Sequence, residues 1–296
     1  MTTIERPAGD AWEYAPAPES TSVVRVKDRQ GLFIGGTFVA PRSGRWFATV
    51  NPATEEPLAE VAEAGPEDVD LAVASARRAA DGWRDLPGSE RAKYLYRIAR
   101  MLQERAREFA VLETMDGGKP IKESRDVDLP LAAAHFFYHA GWADKLAYAF
   151  PNRTARPLGV AAQVIPWNFP ILMAAWKLGP ALATGNAVVI KPASQTALSL
   201  LRIAELAAEA GLPAGVLNVV PGPGEAVGEA IGKLAPCSLT WGSGSTTFAV
   251  NRRTNAEAQV PELKAQGKLK GPSDHDVPVL AVKDANGKLQ AVLFGY

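Results

Sequence analysis

Apolar positions along the chain follow two rhythms. Between residues 66 and 149 they return every three or four positions, as in VDLAVASARRAADGW and RAKYLYRIARMLQERA, with charged residues on the opposite faces. That period predicts helices over 68–84, 89–108, 109–116 and 130–149, the third ended by Asp116-Gly117-Gly118-Lys119-Pro120, a glycine stop with a proline beyond it. Between residues 159 and 233 short apolar runs alternate with helical stretches, giving strands over 160–165, 187–190 and 216–220 and helices over 171–183, 197–210 and 225–233. Such alternation predicts parallel strands with right-handed crossovers, because a parallel neighbour is reached only across a sheet face. Gly211 ends the middle helix and Pro213 prevents its continuation. Nearer the amino terminus, residues 32–34 and 37–40 flank Gly35-Gly36 as a hairpin, and 57–61 reads as a further short strand. At the far end 277–282 and 289–294 are largely apolar and are joined through Asp284-Ala285-Asn286-Gly287, whose Asn-Gly pair favours a hairpin turn.

The strand over 160–165 breaks at Pro166-Trp167-Asn168-Phe169-Pro170, and the strand over 187–190 runs into Lys191 before Pro192 stops it. In open α/β sheets ligands settle at the carboxyl ends of the strands, so Asn168 and Lys191 are expected where a nucleotide and its substrate would lie. Gly222-Pro223-Gly224 follows the third strand. Glycines there either let backbone approach a phosphate or ribose or simply permit the turn. Asn168, between two prolines, is either a site donor or a side chain that stabilises its own turn. The expected fold class is α/β: amino-terminal helices and a partial Rossmann-type parallel sheet, followed by a short tail containing a β-hairpin. Residues 1–31 read as a mobile arm, 32–233 as the α/β region and 238–296 as a β-rich fragment. Three parallel strands leave an open edge, from which association with another chain, as in a homo-oligomer, is expected unless the tail hairpin covers it.

Composition narrows the function classes. Lys+Arg and Asp+Glu are both 32, so charge balance gives no reason to expect nucleic acid or an anionic membrane as partner. The basic residues between Arg91 and Arg107 are interleaved with Glu90, Glu104 and Glu108 and read as a solvated helix face. No run of about 18 apolar residues and no basic-then-apolar leader is visible, so a soluble cytoplasmic location is expected. Cys237 is the single cysteine, which excludes an intramolecular disulfide. His135 and His139 lie one helical turn apart, but amid Phe136, Phe137, Tyr138 and Trp142 they read as packing, and no metal site is expected. His275, alone in Asp274-His275-Asp276, reads as solvated or hydrogen-bonded.

The pieces IPWNFP, GPALATGN, IKPAS and AGLPAGVLNVVPGPGEAVG, with LFIGGTFVAP, VNPATEEPLAEV, DGGKPIKESRDVD and AAHFFYHAGWADK before them, resemble the NAD(P)-dependent aldehyde dehydrogenase family over residues 32–233. The resemblance implies oxidation of a small-molecule aldehyde to an acid, with NAD or NADP as cofactor. It implies Asn168 as oxyanion donor, a role suited to a carboxamide because it donates without titrating. It further implies Ile165, Pro166, Trp167 and Asn168 itself along the cofactor path, Lys191 on a ribose hydroxyl or phosphate, Ser194 beside the adenosine ribose, and Gly224 and Glu225 at the adenine end. The family more often has a glutamate where Ser194 stands. A short, uncharged hydroxyl leaves room for a 2′-phosphate, so NADP is expected to be tolerated about as well as NAD. After Lys233 the family's ELGGK-type base segment and GQxC-type nucleophile are not found, and Cys237 is too close to Asn168 in sequence to be that nucleophile. Residues 238–296 instead resemble an internal stretch of the neutral ceramidase family. The expectation is a composite joined near 233–237, inactive on aldehydes as it stands, or a nucleotide-binding or interaction module that pairs with a complete homologue.

Overall fold

The computed structural model describes residues 19–149, 151–152, 154–233, 237–245, 276–284 and 289–294. The chain divides into two compact units between Leu234 and Ala235. In the first unit, α1 (Pro66–Asp85), α2 (Gly88–Glu104) and α3 (Ala106–Gly117) follow the helical pattern. Asp68 starts α1: one carboxylate oxygen accepts from Gly65 N at 2.9 Å and the other from Arg42 N at 3.0 Å. Gly118, at φ 72°, ends α3 in the left-handed conformation, as the DGGKP sequence predicts. The helix expected over 89–108 is two helices. Arg105 leaves helical geometry at φ −105°, ψ 18°, and its guanidinium reaches Glu209. The helix expected over 130–149 is likewise divided. A short α4 (Ile121–Glu123) and a π-helical turn precede α5 (Leu129–Trp142), and α6 (Leu146–Ala149) follows after Lys145 Nζ caps Gly141 O at 2.9 Å.

Two three-stranded sheets and one five-stranded sheet hold the described strands. The five-stranded sheet has the order β3-β2-β8-β7-β6, built from β2 (Leu32–Ile34), β3 (Thr37–Val39), β6 (Val160–Val164), β7 (Ala187–Lys191) and β8 (Leu217–Val219). β6, β7 and β8 are parallel, as the alternation requires. The expected three-strand sheet is therefore too small: the amino-terminal hairpin adds to β8 antiparallel, with Phe33 opposite Val219. Asn218 makes this possible. Fully buried in β8, it accepts from Gly35 N at 3.0 Å and donates to Gly215 O at 2.7 Å and Val188 O at 3.2 Å. Among the described strands β6 remains an edge.

All five residues of β7 are buried, as befits a central strand covered on both faces. α7 (Pro170–Ala183) and α8 (Leu198–Glu209) supply the crossovers, and α5 lies against α7. Their approach is close at Gly179, where a Cβ would sit 2.8 Å from His139 Nδ1. Arg91 corrects the solvated-face reading: it is buried and donates to Ala183 O at 3.2 Å, Arg84 O at 3.1 Å and Leu86 O. A cation is favoured at such carbonyl-rich helix ends.

A smaller sheet pairs β1 (Arg29–Gln30) with β5 (Pro57–Ala62), and β5 with β4 (Trp46–Val50). Residues 19–31, read as part of a mobile arm, thus belong to the body. Lys27 also pairs with Glu205 at 2.9 Å. No helix among the described residues is long and apolar enough to cross a membrane.

The second unit contains β9 (Cys237–Ser245), β10 (Asp276–Asp284) and β11 (Leu289–Phe294) in an antiparallel sheet of order β11-β10-β9. The expected hairpin is β10–β11, with Leu280 opposite Leu293, and β9 is a strand the pattern did not announce. Its Asn286-Gly287 turn, and His275, lie outside the described residues.

Candidate functional site

Three strand ends form one rim. Val164 on β6 is opposite Lys191 on β7, and Ile165 N continues the pairing to Lys191 O at 3.0 Å. Ile190 is opposite Val219, and Val220 N reaches Ile190 O at 3.0 Å. The segments that follow, 165–169, 191–194 and 220–225, therefore leave the sheet side by side and carry every residue that the resemblance implies for the site. Ile165 is buried, while Pro166, Trp167 and Asn168 are exposed. Among the described residues no hydrogen bond involves the Asn168 carboxamide, so it does not stabilise its own turn.

Lys191 is 4% exposed, and its ammonium donates only to Pro192 O, at 2.8 Å, among the described residues. Burial lowers its pKa from the ordinary lysine value. A buried ammonium with one carbonyl partner has donors to spare for a hydroxyl or phosphate. Ser194 Oγ donates to Gly222 O at 3.0 Å, binding the second loop to the third. At Gly222, φ 155°, an added Cβ would lie 2.7 Å from Val227 and 3.0 Å from Ala64 O, so this glycine serves the turn itself. Gly224 opens a π-helical turn, has no atom within 4 Å of a would-be Cβ, and with exposed Glu225 faces free space.

Beneath the rim lies a set of buried groups that the pattern of the chain does not announce. Glu113, on α3, accepts Ile171 N at 3.1 Å and the Ser199 hydroxyl. Asp116, one turn later, accepts Leu198 N and Thr49 Oγ1, both at 2.9 Å. Two carboxylates of α3 thus receive the first turns of α7 and α8, where orphan N–H groups and the helix dipole favour an acceptor. Burial raises both acids to about 7, the hydrogen bonds opposing the shift in each case; at Glu113 the nearby Asp128 and Asp116 raise it further. Asp128 pairs through one oxygen with Lys119, and its other oxygen is buried without a hydrogen bond among the described residues. Lys119 Nζ also lies 3.9 Å from the centre of the Phe169 ring, next to Asn168. The only advance signal was the helix-ending DGGKP sequence, which located Asp116 and Lys119 without assigning them partners.

The two histidines of α5 stack at 6.1 Å, with His139 Nδ1 2.8 Å from His135 O and Trp176 beside His135. They line an open hollow with Leu131, Ala134, Tyr138 and Trp176, away from the strand rim.

Comparison with known proteins gives this rim a lineage. The model of the aldehyde dehydrogenase family matches residues 38–267, so the likeness continues beyond the 233–237 join expected from the sequence. Aminoacetaldehyde dehydrogenase of Pseudomonas aeruginosa is 48% identical over 227 residues, covering 73% of this chain and 46% of the relative. The mitochondrial aldehyde dehydrogenase of Leishmania tarentolae is 42% identical over 262 residues, covering 86% and 50%. The NAD+ complex of an aldehyde dehydrogenase from Bacillus cereus superposes with a TM-score of 0.65 at 43% identity, covering 69% of this chain and 43% of that one. The chain spans about half the length of the curated relatives it matches. With residues 38–267 matched by the family's model, this chain belongs to the aldehyde dehydrogenase family.

Proposed function

We propose that the rim binds NAD or NADP and that Asn168 donates to the oxyanion formed when an aldehyde is oxidised. The alignment of Val164 with Lys191 carries the reading, since it sets a carboxamide-bearing turn and a buried ammonium on neighbouring segments. In this reading Ile165, Pro166, Trp167 and Asn168 flank the dinucleotide. Lys191 holds a ribose hydroxyl or phosphate, Ser194 borders the adenosine ribose, and Gly224 and Glu225 border the adenine. The cofactor supplies a hydride acceptor. The chain's own contribution is to orient it and to offer a neutral donor to developing negative charge. Lys191 fits the group because its ammonium is buried with a single carbonyl partner, and Gly224 because no atom crowds it.

No residue takes the role of nucleophile or general base in this reading, and the polypeptide alone does not turn over aldehydes. Cys237 takes no catalytic role in this reading. Calorimetric titration of the purified chain with each cofactor is the test. Binding that weakens at least tenfold in Lys191→Ala supports the site; unaltered binding in Lys191→Ala sinks it. NADP binding tenfold or more weaker than NAD removes the role given to Ser194. Turnover that Cys237→Ala abolishes overturns the inactive reading. The edge of β6 favours a second reading, association with a complete homologue or another copy, which co-purification without turnover would support. For residues 238–296 the ceramidase-like reading rests on sequence alone, and bound zinc or amide hydrolysis would carry it.

A further inference from the structure

We propose that Glu113 is the positioning residue for Asn168. The proposal takes the role of Asn168 from the preceding reading, but the means of holding it comes from contacts in the body. The Asn168 side chain makes no hydrogen bond among the described residues, so its direction is set by its backbone. That backbone runs directly into α7. Phe169, the residue flanking the helix, offers no side-chain cap, and Pro170 contributes no N–H. The next donor, Ile171 N, goes to Glu113 Oε1 at 3.1 Å. A carboxylate from another helix therefore does the work that a serine or aspartate does locally at most helix starts.

The other Glu113 oxygen is held by the Ser199 hydroxyl near the start of α8, which fixes the carboxyl from its far side. Asp116, three residues away on the same face of α3, receives Leu198 N at 2.9 Å. Both crossover helices are thus registered on one helix behind the sheet. Lys119 adds a second hold on the turn, its ammonium lying between Asp128 and the Phe169 ring. The site turn has a free side chain in front and a clamped backbone behind.

Amide spectra of the full chain labelled with nitrogen-15 test the assignment. Asn168→Ala identifies the backbone and carboxamide signals of Asn168. Glu113→Ala is expected to displace the Asn168 signals beyond their line width while those of Asn218 stay in place. Glu113→Gln keeps an acceptor for Ile171 N and is expected to return Asn168 to its wild-type position. Unmoved Asn168 signals in Glu113→Ala overturn the proposal, as does a Gln variant that behaves like Ala. Should Glu113→Ala fail to fold, Glu113→Asp withdraws the carboxylate by one bond length, about 1.5 Å, and an unmoved Asn168 there is equally fatal. These readouts need no cofactor. Displaced Asn168 signals in a chain that binds no dinucleotide would sustain the role of Glu113 and remove the nucleotide reading.

Discussion

The strand rim and the acid cluster behind it are built on opposite terms. At the rim, Asn168, Trp167, Gly224 and Glu225 are exposed, and Asn168 makes no hydrogen bond among the described residues. In the cluster, Glu113, Asp116 and Asp128 are at most 2% exposed, and five of their six carboxylate oxygens are engaged. At Asn168 the side chain is left available while the backbone that follows it is held from behind, through Ile171 N and Glu113. The cluster is drawn from positions 113, 116 and 128, well before the rim segments at 165–169, 191–194 and 220–225.

The sharpest way to break the comparison is to empty the cluster. Glu113→Leu removes the acceptor for Ile171 N and Ser199 and leaves both donors buried, a loss expected to be about 2–4 kcal/mol. Urea unfolding measures it, and a loss no larger than that of a surface change would show that the cluster does not hold the fold. Next in size is Gly179→Ala, where the new methyl meets His139 Nδ1 and separates α5 from α7. About 1–3 kcal/mol is expected on thermal or urea unfolding.

A pH series gives a smaller effect. Glu113 and Asp116 sit near 7 in the folded chain against ordinary values of 4.5 and 3.8. The folded state thus holds protons that the unfolded state has released. The resulting contribution is complete below about pH 4 and disappears as pH rises through 7. Unfolding midpoints should fall across that window, and the fall should shrink in Glu113→Gln. A midpoint that rises between pH 5 and 7 in the wild type but not in Glu113→Gln would reverse the sign assigned here. Smallest of all, Asn168→Ala should alter stability by no more than about 0.5 kcal/mol, because the carboxamide supports nothing around it.

The same contrast explains what could be read in advance. The parallel order of β6, β7 and β8 was legible because a fully buried strand such as AVVIK has a plain apolar signature between helical stretches. The Gly35-Gly36 and β10–β11 hairpins were legible from local turn chemistry. Lys191 and the Pro166–Pro170 turn were placed at the rim by the same alternation. Glu113 was not legible, because one acidic residue on a helix has no periodic mark distinguishing a buried cap from a solvated charge. Arg91 failed for that reason too: its partners, Ala183 and Leu86, are backbone carbonyls and leave no trace in side-chain pattern. The place of the amino-terminal hairpin beside β8 depends on Asn218, a polar residue whose three partners come from one other strand, β7, and two turns.

That placement has a consequence for how the chain is made. Phe33 pairs with Phe38 inside its own hairpin, but the hairpin joins the sheet only where Phe33 meets Val219 among the described residues, far later in the chain. A nascent polypeptide emerging from the ribosome must therefore keep its first hairpin waiting until the last parallel strand of the body has been synthesised. Closure of so long a loop is a late event. Residues 32–39 thus leave the exit tunnel well before the strand they dock on, and their place in the sheet is filled late.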